Sequence, residues 1–181
     1  ILIYFYIIYM NFNYNYLIII ALLGCLLLYS YYKYISNIND VSKLWGISPS
    51  FYKDKLFFVS FILCAIAFIL LFIYLATYKN FTELQVEKIF LGLLGIVLIS
   101  LFWLPLTIFH LTYKKDKCLN RMLILLTLFI VAISSICVTY KIYLINDKSL
   151  FKQLVFYGMC YFCFHTLVLD LFYWSYGYFL Q

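Results

Sequence analysis

The sequence predicts an all-α, polytopic membrane protein, a bundle of about five membrane-spanning helices joined by short loops. Of the 181 residues, 67% are hydrophobic and only 11% are charged, whereas a soluble domain is about half apolar and about a quarter charged. Five long stretches also lack Asp, Glu, Lys and Arg, with one acidic exception at residue 170. Each is near or above the roughly 20 residues that cross about 30 Å of hydrocarbon as a helix.

A transmembrane β-barrel is the other fold that satisfies every backbone hydrogen bond in lipid. Its strands alternate polar and apolar residues over about 10 positions, and the run over 56–78 shows no such alternation. The sequence therefore predicts one helical domain over 1–181. Its approximate spans are 14–34, 56–78, 89–112, 121–142 and 153–178.

Residues 1–9 precede Met10 and leave two interpretations open. They are either an extension upstream of a start at Met10 or part of a longer chain.

The lysines and the single arginine predict the orientation. The first and third loops carry eight Lys and Arg residues, and the second and fourth carry five. Because cytoplasmic loops are richer in Lys and Arg, we expect the N-terminus outside and the C-terminus in the cytoplasm. The sequon at Asn80 then lies outside. The net charge of +6 is explained by loops that face anionic lipid. The predicted partners are the lipid bilayer and either other membrane proteins or a small apolar ligand, with no nucleic acid.

The stretch FCFHTLVLDLFYWSY, residues 162–176, holds the main candidate site. Asp170 lies about seventeen residues into a charge-poor run of 29 residues, where an ionised acid costs about 2.5–3.5 kcal/mol. On an α-helix, at about 100° per residue, His165 lies roughly 140° from Asp170, so the two are not expected to pair. Asp170 is a candidate proton or cation site. The alternative, which we favour, is a neutral hydrogen bond between helices that carries no flux.

The same geometry predicts which helix faces pack together. Small and polar residues on one helix face mark interhelical contacts in membranes. Such a face on the last helix comprises Met159, Cys163, Thr166, Asp170, Trp174 and Gly177. Further packing faces are expected at Gly92 and Gly95, at Ser60, Cys64 and Ala67, and at Ala132, Ser135 and Thr139.

The remaining candidate site residues are aromatic or histidine. Trp103, Trp174 and Tyr173 could surround a cavity for an apolar ligand. His110 is a second candidate beside His165. One Cys-x-x-Cys pair does not make a zinc site, and a haem held between His110 and His165 is a weaker alternative. We predict no metal and no cofactor.

The absence of an assembled reactive group predicts a protein that is not an enzyme. The sequence shows no Ser/His/Asp set in one aqueous region, no Gly-rich phosphate loop and no paired carboxylates on one helix face. The leading hypothesis is a multi-pass membrane protein that acts as an interaction or binding module. One alternative is a binder or carrier of a small apolar ligand. The other is a proton- or cation-conducting transporter that uses Asp170.

Trp45 and Pro49 in the first loop and the FWLPL of residues 102–106 in the third helix resemble the tryptophan-rich sensory/translocator family. The resemblance is architectural and implies a five-helix carrier of a small apolar ligand. That family's Pro-Pro pair in the first loop is absent. Ser100 stands where an Asn is expected, and the chain has only three tryptophans. No binding residue is therefore carried over.

Overall fold

The computed structural model describes residues 2–36, 51–78, 81–112 and 117–176. These residues form five helices, and each contains a segment long and apolar enough to cross a membrane, which confirms the predicted fold class. The helices are α1 (Leu2–Ser36), α2 (Phe51–Thr77), α3 (Glu83–Thr112), α4 (Lys117–Tyr143) and α5 (Leu150–Phe164), and α5 continues as a π-helical segment, His165–Trp174. Trp45, Pro49, Asn80 and Gly177 lie outside the described residues.

The helices form a ring in which α1 contacts α3, α3 contacts α4, α4 contacts α5, α5 contacts α2, and α2 contacts α1. Tyr16 stacks on Phe90 and Tyr31 approaches Trp103, so α1 and α3 are parallel. The contacts of α4 with α3 and of α5 with α2 are antiparallel. We call the end where α2 and α4 begin the loop 1 end, and the opposite end the loop 2 end.

Glycines bring the antiparallel helices together. A Cβ atom at Gly92 would lie 2.5 Å from Val138 Cγ2, and one at Gly95 would lie 2.5 Å from Ser134 Oγ. Both glycines therefore allow α3 to approach α4 closely, as small residues do in membrane bundles. Gly158 has the same role between α5 and α2, where its added Cβ would lie 3.2 Å from Ala67 Cβ. The expected packing role of Gly92 and Gly95 is thus what the structure shows.

Polar caps fix two helix starts at the loop 2 end. Thr82 and Gln85 form a reciprocal capping box at the start of α3, with bonds of 3.0 and 3.3 Å, which satisfies two backbone donors that the helix leaves unpaired. Ser149 caps α5 by accepting the Lys152 backbone N–H at 3.1 Å. These caps explain why the helices begin at these residues.

Asp147 links the loop between α4 and α5 to α2. Its Oδ1 accepts the Ser149 backbone N–H at 2.8 Å, and its Oδ2 accepts the Ser149 hydroxyl at 2.9 Å and the Tyr74 hydroxyl at 3.0 Å. The Ser149 N–H is the largest of the contributions that hold the pKa of Asp147 below its usual value. These bonds stabilise the charged form, because hydrogen bonds to a carboxylate favour its ionisation.

The contribution of Asp147 to stability is therefore expected to depend on pH. A carboxylate with a lowered folded pKa stabilises the fold above its unfolded pKa of about 3.9, and this stabilisation is lost as the pH falls through the folded pKa. In detergent, Asp147→Asn should unfold at a lower temperature than the wild type at pH 7. That difference should shrink as the solution is acidified below the unfolded pKa. A difference that stays constant over this pH range would contradict the assigned role of the carboxylate.

Candidate functional site

The end of α5 departs from α-helical geometry. From His165 to Trp174 the backbone is π-helical, the geometry in which N–H groups bond to the carbonyl five residues back instead of four. At its start the His165 N–H still bonds to the Phe162 and Tyr161 carbonyls, and just after its end the Ser175 N–H bonds to the Phe172 carbonyl. Such segments are rare, are mostly a single turn long and are frequent at functional sites. This one is ten residues long. Residues five apart consequently stand one above the other along this segment.

Hydroxyl groups satisfy backbone carbonyls at both ends of the π segment. Thr166 Oγ1 donates to the Phe162 carbonyl at 3.1 Å, and Ser175 Oγ donates to the Asp170 carbonyl at 3.3 Å. Ser and Thr side chains commonly supply the hydrogen bonds that an irregular membrane helix loses. The sequence therefore contains the groups that allow this helix to change register within a membrane.

Four polar side chains form a continuous chain between α2 and the end of α5. Ser60 Oγ on α2 lies 2.7 Å from Tyr161 OH and 2.7 Å from His165 Nδ1. The other ring nitrogen of His165, Nε2, lies 3.5 Å from Asp170 Oδ2. We call Tyr161, Ser60, His165 and Asp170 the polar chain. Ser60 and His165 are 1% and 7% exposed, so the middle of the chain is enclosed by protein.

The contact between His165 and Asp170 corrects the sequence prediction that the two do not pair. That prediction assumed an α-helix, in which a separation of five residues places two side chains on different faces. In the π register the same separation brings them to one face. The structure also assembles Ser60, His165 and Asp170, a Ser/His/Asp set that the sequence did not reveal.

Asp170 lies on the loop 1 side of the bundle. Ser60 is the third residue of the span Phe58–Thr77, counted from the loop 1 end, and it contacts His165. Asp170 follows His165 along a helix that runs towards the same end. The acidic end of the polar chain therefore lies towards the loop 1 end. The Asp170 side chain is 29% exposed.

The packing face predicted for the last helix contacts α4. Thr166 Oγ1 lies 3.0 Å from Ser135 Oγ, and Thr139 Oγ1 lies 3.0 Å from Cys163 Sγ. Met159 is fully buried against the same helix, and its carbonyl accepts from Thr139 at 3.3 Å. These contacts to α4 fix the rotation of α5, and with it the side of the helix on which Tyr161 and His165 meet α2.

The candidate tryptophans lie together next to the polar chain. The rings of Trp103 and Trp174 are 5.4 Å apart and meet edge to face, and the Tyr31 ring lies 6.1 Å from Trp103. Trp174 is 1% exposed and packs with Ile124 at the loop 1 end. The two indole rings thus fill the position where the sequence suggested a ligand cavity. Tyr173, the third residue of that suggestion, is exposed.

A cavity does lie at the other end of the bundle, between α1, α2 and α3. Its volume is about 30 Å³, close to that of one water molecule in the liquid, whereas pockets for small-molecule ligands hold roughly 300–1,000 Å³. Its lining includes Tyr16, Ile20, Leu75, Phe81, Phe90 and Leu93. This space is too small to support the ligand-carrier hypothesis.

His110, Cys160 and Cys163 are not members of the polar chain. His110 lies in the last turn of α3, and the polar partners of His165 within the described part of the chain are Ser60 and Asp170. Cys160 is exposed, and Cys163 faces Thr139. In residues 2–36, 51–78, 81–112 and 117–176, no three His, Cys, Asp or Glu side chains lie together as metal ligands would.

The Ser/His/Asp set differs from that of a serine hydrolase. In the hydrolase triad the serine contacts Nε2 of the histidine and the aspartate contacts Nδ1, whereas here Ser60 contacts Nδ1 and Asp170 contacts Nε2. Ser60 is also 1% exposed and so is closed to a substrate carbonyl. The arrangement is better suited to moving a proton than to attacking an ester or amide.

Comparison with known proteins gives no relative on which a function could be based. No family model, no curated protein and no solved structure matches this chain. The function must therefore be argued from the polar chain itself.

Two members of the polar chain were not identified from the sequence as site residues. Ser60 entered the sequence analysis only as a small residue on a packing face, and Tyr161 did not enter it. Ser60 is 105 residues from His165 along the chain, so no local spacing could connect them. The sequence did offer one indication, because a hydroxyl on a packing face of α2 can form a hydrogen bond with a polar residue on the facing helix.

Proposed function

We propose that this multi-pass membrane protein is a proton-coupled transporter, in which the polar chain passes a proton between the loop 1 end and the interior of the bundle. The observation that carries the proposal is the series of four neighbouring polar groups, joined by two hydrogen bonds of 2.7 Å and by an ion-pair distance of 3.5 Å between His165 and Asp170. Intramembrane acids and histidines typically mark proton pathways. On this proposal the protein is not an enzyme.

Each group of the polar chain can accept one proton and release another. Asp170, at the loop 1 end, takes a proton from water and transfers it to Nε2 of His165. The imidazolium releases its Nδ1 proton to Ser60 Oγ, and Ser60 passes its own hydroxyl proton to Tyr161. Tyr161, which is half-buried, gives up its own phenolic proton to water in turn. Histidine is suited to this step because its two ring nitrogens exchange donor and acceptor roles.

The geometry favours this function over the neutral hydrogen bond between helices that the sequence suggested. Such a bond would join Asp170 to another helix, whereas the polar partner of its side chain among the described residues is His165, on the same π segment. The contact with a second helix is made by His165, through Ser60 of α2. The acid is therefore placed as the end of a chain and not as a bridge.

Proton flux into reconstituted vesicles tests the proposal. With an imposed pH gradient and an internal pH-sensitive dye, wild-type protein should acidify vesicles faster than protein-free controls. Asp170→Asn should reduce the rate to that of protein-free vesicles, because an amide cannot exchange the proton. Asp147→Asn is the matched control, since this acid lies at the loop 2 end outside the polar chain. It should leave the rate near the wild-type value.

Ser60→Ala interrupts the chain at its centre and should also abolish flux while leaving Asp170 in place. The proposal is wrong if wild-type vesicles acidify no faster than protein-free vesicles at any pH from about 5 to 8, the range in which an ordinary histidine changes charge. Equal rates for Asp170→Asn and Asp147→Asn would exclude Asp170 as the acid.

A further inference from the structure

We infer that the π segment is the moving part of the protein, and that it converts between π and α registers as the contact between His165 and Asp170 forms and breaks. This inference rests on the proposed proton-coupled function and describes how that function is regulated. It concerns residues 165–174, whose backbone register determines which side chains share a face.

The contact and the register depend on each other. In an α-helix the two side chains point roughly 140° apart, whereas in the π register their atoms are 3.5 Å apart. The contact therefore exists only in the π register, and each stabilises the other. The π state has the contact between His165 and Asp170, and the α state lacks it. Any change in the strength of this contact therefore shifts the populations of the two states. Proton transfer between Asp170 and His165 is a change of this kind.

The α register is the ordinary state of a helix, and π turns are rare. Ten residues of π-helix consequently require specific interactions that hold them. Those seen are the contact of His165 with Asp170 and the hydroxyl bonds of Thr166 and Ser175 to backbone carbonyls. Each hydroxyl can rotate to a different carbonyl, so both bonds can adapt to a helix that changes register.

Conversion would rotate the end of the segment by about half a turn, because a π turn holds more residues than an α turn. Trp174 would then leave its contact with Trp103, and Asp170 would leave His165. The acid would face its proton source in one register and His165 in the other. This alternation is what a carrier needs in order to avoid an open proton leak.

The surroundings of Asp170 contain few other groups that can ionise. Tyr31 of α1 and Cys64 of α2 lie within electrostatic range of the acid. On α5 itself, Tyr161 and Cys163 flank His165. In the proposed transfer, Asp170 and His165 are the two groups whose charge changes during conversion.

Solid-state NMR can read the register directly. In an α-helix the Trp174 N–H is bonded to the Asp170 carbonyl, whereas in a π-helix it is bonded to the Leu169 carbonyl and lies further from that of Asp170. Protein labelled with ¹³C in Asp carbonyls and ¹⁵N in Trp amides reports this distance, and Trp45→Phe removes the other tryptophan that follows an aspartate within a few residues of sequence, Asp40. The wild type should show the long distance of the π register, and His165→Leu should show the short one.

A deletion separates the contact from the register. Removing Val168, which is exposed, leaves His165 and Asp170 four residues apart, so that they meet in an α-helix. This deletion variant should show the short distance and should carry no protons, whereas Val168→Ala, the control that changes the same side chain without shortening the helix, should show the long distance and carry them. The deletion also tests the inference if His165→Leu fails to fold.

The inference is overturned if His165→Leu keeps the long distance, or if the variant lacking Val168 is α-helical and carries protons at the wild-type rate. Failure of the proposed function gives a different result, because wild-type vesicles would then show no flux. In that case the distance in His165→Leu still decides whether the contact sets the register.

Discussion

Trp174→Ala is expected to destabilise the bundle by about 3 kcal/mol, the lower end of the range for replacing a buried tryptophan in a soluble core. Trp174 is 1% exposed and meets Trp103 edge to face at 5.4 Å. Lipid is as apolar as the protein interior, so exposure of the ring to it adds little. The loss comes from the cavity and from the ring contacts. Unfolding in mixed micelles with increasing SDS measures the change in the free energy of unfolding.

The control for this substitution is Tyr176→Ala, two residues further along the chain. Tyr176 is 71% exposed, so its removal should change the free energy of unfolding by about 0.5 kcal/mol or less. Equal losses for the two variants would show that Trp174 is not packed in the position described. The comparison is informative because both substitutions remove a large aromatic ring from the same end of the protein.

Gly92→Ala is expected to destabilise the protein by about 1–3 kcal/mol, the usual effect of adding a methyl group to a filled core. The new Cβ would lie 2.5 Å from Val138 Cγ2. Val138 is fully buried, and a β-branched side chain in a helix has one strongly preferred rotamer. Its methyl group therefore cannot rotate away, and α3 must separate from α4. The same SDS titration measures this effect.

Gly24→Ala is the matched control, since no atom lies within 4 Å of the position that its Cβ would take. Replacing a helical glycine by alanine normally stabilises by about 0.5–1 kcal/mol through backbone entropy. Gly24→Ala should therefore be neutral or slightly stabilising. If Gly92→Ala behaved in the same way, the close approach of α3 and α4 at this glycine would be wrong.

The membrane-spanning helices could be predicted because their signal is local. Apolar length and missing charge identify each span, and the glycines Gly92 and Gly95 stand at a spacing that places small residues on one helix face. Asp170 and His165 could also be recognised, since polar residues inside a span are conspicuous. These features depend on single helices, whose geometry is known in advance.

The assembled site could not be predicted, for two physical reasons. The pairing of His165 with Asp170 depends on a π register. The spacing of residues in the sequence does not indicate that register, and the prediction assumed the usual α-helix instead. The role of Ser60 depends on which face of α2 meets α5, and that is decided by contacts such as Ala67 against Gly158. Both facts arise from packing between helices.

The weak attachment of α1 has a consequence for how the protein opens. Of the α1 side chains that the structure describes, only Ile20 is buried, and it joins the larger apolar core, whose other buried members all lie outside α1. Local stability follows the density of buried contacts, so we expect α1 to detach at lower free energy than the other helices. In a hydrogen-exchange experiment, the amides of α1 should exchange faster than those of the other helices, as a separate cooperative unit. Its departure removes Tyr31 from beside Asp170 and leaves the polar chain intact.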